Sequence, residues 1–367
     1  MPDPRVSKLA KVLVNFSVEI QKGDQVAIRT SPVADELTLA VYEEVIKAGG
    51  YPFVVNEVPG TEEMFFKFAS DEQLDYVSLI SKLVLETFDA SISIWAETNT
   101  RELSGVSPER ISRNRKAQSA LMKTSMKRSA EGTYKWTLTV YPNNSMAQEA
   151  DMSLRDYTDF VYGAGLLNHD DPVALWQEEE ARQKKLTGWL KGRETAVIKG
   201  ANVDVTLSIK DRPFVESAGK KNFPSGEIFT GPIEDSVNGW VRFKYPAIYS
   251  GQEISDVELW FENGKVVKEN ASKNQELLTS TLNTDAGSRY LGEWGIGTNY
   301  GIQRFTKNML FDEKIGGTIH FAVGAGYPET KSRNESGIHW DMLCDMADSE
   351  ITVDGDLFYK NGKPVIQ

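Results

Sequence analysis

The sequence predicts an α/β fold in two parts: an N-terminal α/β domain built on a parallel sheet, then a mainly antiparallel, β-rich (α+β) domain. Three observations lead to it. Apolar runs alternate with helix-spaced segments through the first half, and strand-like segments follow one another directly in the second. Two Asn-Gly pairs, Asn263-Gly264 and Asn361-Gly362, fall between such segments, as two-residue type I′ hairpin turns require. At 367 residues the chain also exceeds one ordinary core.

In chain order, "VSKLAKVLVNF" has helical spacing and "DQVAIRT" is a short apolar run of strand length. "ADELTLAVYEEVIKAGG" repeats the helical spacing and stops on glycine, and "YPFVVNEV" reads as the strand that completes a βαβ unit. One helix is expected over "DEQLDYVSLISKLVLETF", residues 71 to 88, followed by a buried strand at "ASISIWAE". The basic segment "RISRNRKAQSALMKTSMKR", residues 110 to 128, reads as a helix whose Lys and Arg are spread around it as a solvated face; "KWTLTVYP" is the next strand. This alternation implies a parallel sheet covered by helices on both faces. A long charged helix over "DPVALWQEEEARQKKLTGWLKG", residues 171 to 192, then leads into the strands "TAVIKG", "VDVTLSI", "WVRFKYPA", "DVELWFENGKVV" and "DGDLFYKNGKPVI". The domain boundary is placed near residue 186, giving domains 1–186 and 187–367.

Composition narrows the function. No apolar run approaches the roughly 20 residues of a membrane-spanning helix, and "MPDPRVSKLAKVLVNFSVEI" lacks the compact apolar core of a secretory signal, so a cytoplasmic protein without a membrane partner is expected. The 41 Lys and Arg against 53 Asp and Glu give a net charge of -12, a field that repels nucleic acid. The single cysteine, Cys344, excludes an internal disulfide and a cysteine-based zinc cluster, and its apolar neighbours mark it as a structural thiol. Any metal site must therefore use histidine and carboxylate ligands.

Of three histidines, His320 and His339 lie in glycine-rich, strand-like surroundings near the C-terminus, whereas His169 precedes a helix start and reads as a cap or loop residue. In a strand, residues two apart share a face, so His339 and Asp341 of "GIHWDML" project side by side, either onto a metal ion or as a satisfied histidine beside a carboxylate. Glu227 in "NFPSGEIFTGP" and Glu293 in "YLGEWGIGTN" interrupt apolar context, where a carboxylate is costly unless it binds metal or pairs with a base; Arg289 is a possible base for Glu293. Two histidines with several carboxylates form a hard-to-borderline set that suits Zn²⁺, Co²⁺ or Mn²⁺, and an excess of carboxylates favours two bridged ions. Paired ions activate water and polarise a carbonyl, which is hydrolase chemistry. The glycines of "GIGTNYG", residues 295 to 301, only approach a dinucleotide fingerprint and lie in the wrong half of the chain.

Taken in order, "NFPSGEIFTGPIEDSVNG", "DAGSRYLGEWGIGTN", "LFDEKIGGTIHFAVGAGYPE" and "NESGIHWDM" resemble the signature segments of the aminopeptidase T family, the M29 metallopeptidases. The resemblance is close from about residue 187 onwards and extends less specifically to the N-terminal half, notably "LVNFSVEIQKGDQVAIR". It implies an exopeptidase that removes N-terminal amino acids from peptides with a free N-terminus, using two divalent ions (Zn, Co, Mn or Mg) per subunit and a metal-bound hydroxide as nucleophile. It further implies a homodimer, and the ligand set Glu227, Glu293, His320, Tyr327, His339 and Asp341, with Glu293 bridging. Tyr327 is then a ligand or an oxyanion donor. The general base is unassigned, with Glu234, Asp235 and Glu313 as acidic residues of the same segments. Another dinuclear hydrolase, such as a phosphoesterase, and a structural-metal binding protein are the rival readings.

Overall fold

The computed structural model describes residues 3–249 and 251–366. The chain forms two compact units, one of residues up to Val173 with Gly219–Pro224, the other of Ala174–Ala218 with Ser225 onwards. The boundary expected near residue 186 lies inside a single helix, Pro172–Leu190, and the chain divides at the start of that helix instead. The reason is packing: Leu186 and Leu190 are buried in the core of the second unit, so the helix belongs there.

In the first unit, strands Gln25–Thr30, Tyr51–Asn56, Ala90–Trp95 and Lys135–Val140 pair in parallel, as the alternating pattern predicts. A fifth parallel strand, Asn222–Phe223, returns from far along the chain to pair with Lys135–Val140, and nothing in its two-residue length announces it. Ala27 packs with Val84 and Phe88 on one face, and its neighbours Val26 and Ile28, which point to the other, are equally buried. The helix expected over residues 71 to 88 is two helices, Asp71–Leu74 and Leu79–Thr87, because the Ser78 side chain accepts from the Ser81 amide and starts a new one. The basic helix, Pro108–Ala130, is more than a solvated face. Arg110 donates to the carbonyls of Phe66 and Ala69, and Arg128 to those of Leu85 and Phe88, closing the C-terminal ends of two neighbouring helices.

The second unit is built on antiparallel pairing. Its eight-stranded sheet contains both Asn-Gly turns, and each has positive φ at both residues: 48° and 81° at Asn263 and Gly264, 48° and 78° at Asn361 and Gly362. A five-stranded sheet runs, from edge to edge, His339–Asp345, Thr318–Gly324, Leu291–Gly297, Glu227–Thr230 and Val215–Ser217. The two sheets share one core, in which Ile198, Val241 and Ile351 of the first meet Trp294, Phe321 and Met342 of the second. No helix among the described residues is long and apolar enough to cross a membrane.

Cys344 lies in this core, and burial pushes its thiol up to about 12. The native protein at pH 8 should therefore leave a thiol-disulfide reagent such as dithionitrobenzoate unreacted, with one equivalent released only on unfolding in denaturant; the absorbance at equilibrium in each condition checks this.

Candidate metal centre

The five-stranded sheet has one apolar face and one polar face, and strand periodicity sorts the residues between them. Ile228, Trp294, Ile296, Ile319, Phe321, Trp340 and Met342 turn into the core. The residues between them, Glu227, Glu293, Gly295, Gly297, His320, Ala322, His339 and Asp341, turn the other way. Register then sets who meets whom. Glu293 pairs across to Ala322 and Ala322 to Asp341, so two carboxylates flank a methyl group; Gly295 pairs with His320, Gly297 with Glu227 and Gly324 with His339. Small residues thus lie beside each long polar one. Gly295 is required by contact: a Cβ there would stand 2.0 Å from Cε1 and Nε2 of the His320 ring, which lies across the strand at that point. The glycine spacing that approaches a nucleotide fingerprint in sequence therefore makes room for an imidazole.

The side chains converge into two groups that share Glu293: Glu227, Glu293 and His320, and Glu293, His339 and Asp341. His320 Nε2 lies 3.4 Å from Glu227 Oε2 and 3.3 Å from Glu293 Oε1, while His339 Nε2 lies 3.4 Å from Glu293 Oε2 and 3.5 Å from Asp341 Oδ2. These gaps exceed the roughly 2.7–2.9 Å of a charge-assisted hydrogen bond. They match the roughly 3.4 Å that separates neighbouring ligands held at about 2.1 Å around a tetrahedral ion. The His339 ring is also oriented for ligation: Nδ1 donates to the Ala325 carbonyl at 2.7 Å, which turns Nε2 toward two carboxylates. Glu227 Oε2 and His320 Nδ1, both buried, have no hydrogen-bond partner among the described residues. Oxygen and imidazole donors in this arrangement fit divalent cations of the Zn²⁺, Co²⁺ and Mn²⁺ kind.

Electrostatics agree with the geometry. Burial raises the Glu293 carboxyl and pushes Glu227 up to about 7, against the opposing pull of the neighbouring cations. Burial would lower His320, yet the adjoining Glu293 and Glu227 outweigh it and hold the imidazole near 10. In the absence of a metal cation this cluster must share protons to lower its own repulsion, and a bound cation relieves the same repulsion without them. One permanent cation is built in: Lys314, completely buried, places Nζ 3.4 Å from Glu227 Oε1 and also pairs with Glu313.

The family model for the thermophilic metalloproteases (M29) matches residues 3–366. The chain belongs to this family. Among M29 relatives, aminopeptidase T of Thermus thermophilus is 24% identical over 399 residues, spanning 97% of this chain and 95% of that protein. The solved structure of wild-type AmpT from Thermus thermophilus superposes with a TM-score of 0.85 at 21% identity, over 99% of each chain. The fold is also that of 2,5-dihydroxypyridine dioxygenase from Pseudomonas putida KT2440, at a TM-score of 0.63 and 16% identity over 100% of this chain and 99% of that one. Fold alone therefore does not fix the reaction, and the side chains on the sheet must.

In this M29 chain the other residues singled out from sequence have mixed fates. Tyr327 follows the Thr318–Gly324 strand, is 38% exposed, and lays its ring 4.9 Å from that of His339 and 5.7 Å from that of Phe229. Arg289 does not reach Glu293; it forms a two-pronged pair with Glu269 at 2.9 and 3.1 Å. Glu234 is tied by Arg212 at 2.7 Å and by the Arg333 amide at 2.6 Å, and Asp235 is exposed, whereas Glu313 stands by Lys314. Lys314 is absent from the sequence-derived set. Its signal was a lysine inside "LFDEKIGGTIH", directly before the strand that carries His320.

Gly295→Ala should displace the His320 ring without exposing core. The expected outcome is a loss of bound metal after dialysis, read by elemental analysis, with an unchanged far-UV circular dichroism spectrum.

Proposed function

We propose that this chain is a dinuclear-metal aminopeptidase that releases N-terminal amino acids from peptides, with the second unit as its catalytic domain. The observation that carries the reading is the pair of groups sharing Glu293, one of them with a histidine ring turned by its Nδ1 hydrogen bond so that Nε2 faces two carboxylates. Glu227, Glu293 and His320 would hold one ion, and Glu293, His339 and Asp341 the other, with zinc, cobalt, manganese or magnesium as the metals the donors suit. Divalent ions in such a set supply a polarised carbonyl and a water acidic enough to ionise near neutral pH.

The chain's own side chains supply the rest. The apolar face of the sheet seals the site from behind, and the partial exposure of His339 and Tyr327 marks the side from which a peptide enters. Tyr327 offers its hydroxyl at that opening as a donor to the oxygen on which charge develops in the tetrahedral intermediate. A substrate's free α-amine would bind one of the ions or a nearby carboxylate, which accounts for a free N-terminus as the recognised feature, and the acidic balance of the whole chain disfavours phosphate esters. The relatives' name, aminopeptidase, supports the same reaction. The net charge of -12 supports a protein without nucleic-acid or membrane partners, and the single buried thiol suits the cytoplasm. Exposed apolar side chains concentrated in the first unit, among them Ile46, Tyr51, Phe53, Phe68 and Leu79, support a homodimer.

His339→Ala should lower kcat/KM for aminoacyl p-nitroanilides by about 100-fold or more while the fold persists. Peptides with an acetylated N-terminus should be left intact. Chelation should abolish turnover before any change in circular dichroism; unfolding on chelation would instead mark the ions as structural. Hydrolysis of aryl phosphates in place of aminoacyl anilides would sink the aminopeptidase reading in favour of a phosphoesterase.

A further inference from the structure

We propose that Lys314 makes the two metal half-sites unequal: held against Glu227, it leaves the Glu293, His339 and Asp341 group to fill first and tightly, and the Glu227, Glu293 and His320 group to bind its ion second and weakly. This inference rests on the reading of these residues as a two-ion centre, and it assigns to Lys314 a positioning role through Glu227.

The lysine is fixed from its backbone outward. The Asn299 amide donates to the Lys314 carbonyl at 3.1 Å, the Lys314 amide donates to Phe311 at 3.0 Å, and the Gly316 amide donates to Asn299 at 2.9 Å. This segment presses on the Leu291–Gly297 strand so closely that a Cβ on Gly297 would lie 2.1 Å from the Ile315 carbonyl oxygen and 3.0 Å from the Lys314 carbonyl carbon. Gly297 pairs with Glu227, so the lysine enters the centre at the Glu227 end and nowhere else. With no exposed surface and Glu313 on its other side, its ammonium group has no route into solvent.

The two groups therefore differ in charge. The Glu227, Glu293 and His320 group has two carboxylates and a contact ammonium, whereas among the described residues no lysine or arginine pairs with Glu293 or Asp341. They differ in access as well: the His339 side chain is 24% exposed and that of His320 1%. An arriving cation meets the uncompensated, open group first. To occupy the inner group it must then share Glu227 with Lys314, beside an ion already held by Glu293. Even with Glu313 offsetting part of it from the far side, a positive charge in contact with Glu227 in a medium of effective dielectric about 20 separates the two affinities by at least about tenfold.

Calorimetric titration of the metal-free, full-length protein with Zn²⁺, repeated with Co²⁺ by visible absorption, tests this. Two steps separated by at least about tenfold are expected. Asp341→Asn should remove the tight step, and Glu227→Gln should remove only the weak one. Lys314→Met should tighten the second step toward the first. Should that variant fail to fold, Glu313→Gln, which leaves the ammonium to Glu227 alone, should weaken the second step further. Two equal steps in the wild-type protein, or loss of the tight step from Glu227→Gln with its retention in Asp341→Asn, would overturn the role of Lys314. Equal steps in a protein that cleaves aminoacyl anilides count against this inference alone, whereas no binding and no cleavage count against the aminopeptidase reading from which it starts.

Discussion

Three carboxylates, Glu227, Glu293 and Asp341, stand on one face of one small sheet, each at most 9% exposed. Ionised carboxylates out of water repel each other and forgo hydration, and this constraint governs the structure around them. It explains why two imidazoles and a buried lysine share their space, and why two neighbouring buried polar atoms have no hydrogen-bond partner among the described residues. It also explains the sheet. A strand can present acidic groups on one face at tolerable cost only when its other face is anchored, and Trp294, Phe321 and Met342 anchor it in a core shared with a second sheet. A slip of one residue in any of these strands would exchange the two faces and put the carboxylates into that core.

The glycines beside the site follow from the same packing. Long polar side chains that fold over a sheet need neighbours without a Cβ, so glycine at 295 and 297 reflects the imidazole and the backbone lying above it. Function and fold are then difficult to separate residue by residue. Lys314 offsets carboxylate charge where the ligands are most deeply buried, and the opposite end, toward His339 and Tyr327, stays open to solvent. Such a gradient of burial along a centre that shares Glu293 gives its two halves different environments from ligands of the same chemical kind.

Much of this was legible in the sequence because it is local or periodic. The alternation of runs in the first half produced the parallel strands, and both Asn-Gly pairs produced hairpin turns of positive φ. The ligand-type residues stood out because each broke an apolar stretch of strand length, and strand periodicity correctly put His339 and Asp341 on one face. The failures share a cause. The break between Leu74 and Leu79, the short strand Asn222–Phe223, the assignment of helix Pro172–Leu190 to the second unit and the pairing of Arg289 with Glu269 all depend on partners distant in sequence or on a single cap.

By itself the sequence determined which residue types were available for chemistry, which of them shared a strand face, and, through ordered motifs, the family. Periodicity and turn chemistry act within a few residues, so a linear reading captures them. Tertiary structure alone decided that four strands would bring Glu227, Glu293, His320, His339 and Asp341 into two groups, that Glu234 would be spent on Arg212, and that Lys314 would be the cation buried against them. Strand register and core packing set those distances between segments up to a hundred residues apart, and over such separations only the folded chain holds charges close enough to interact.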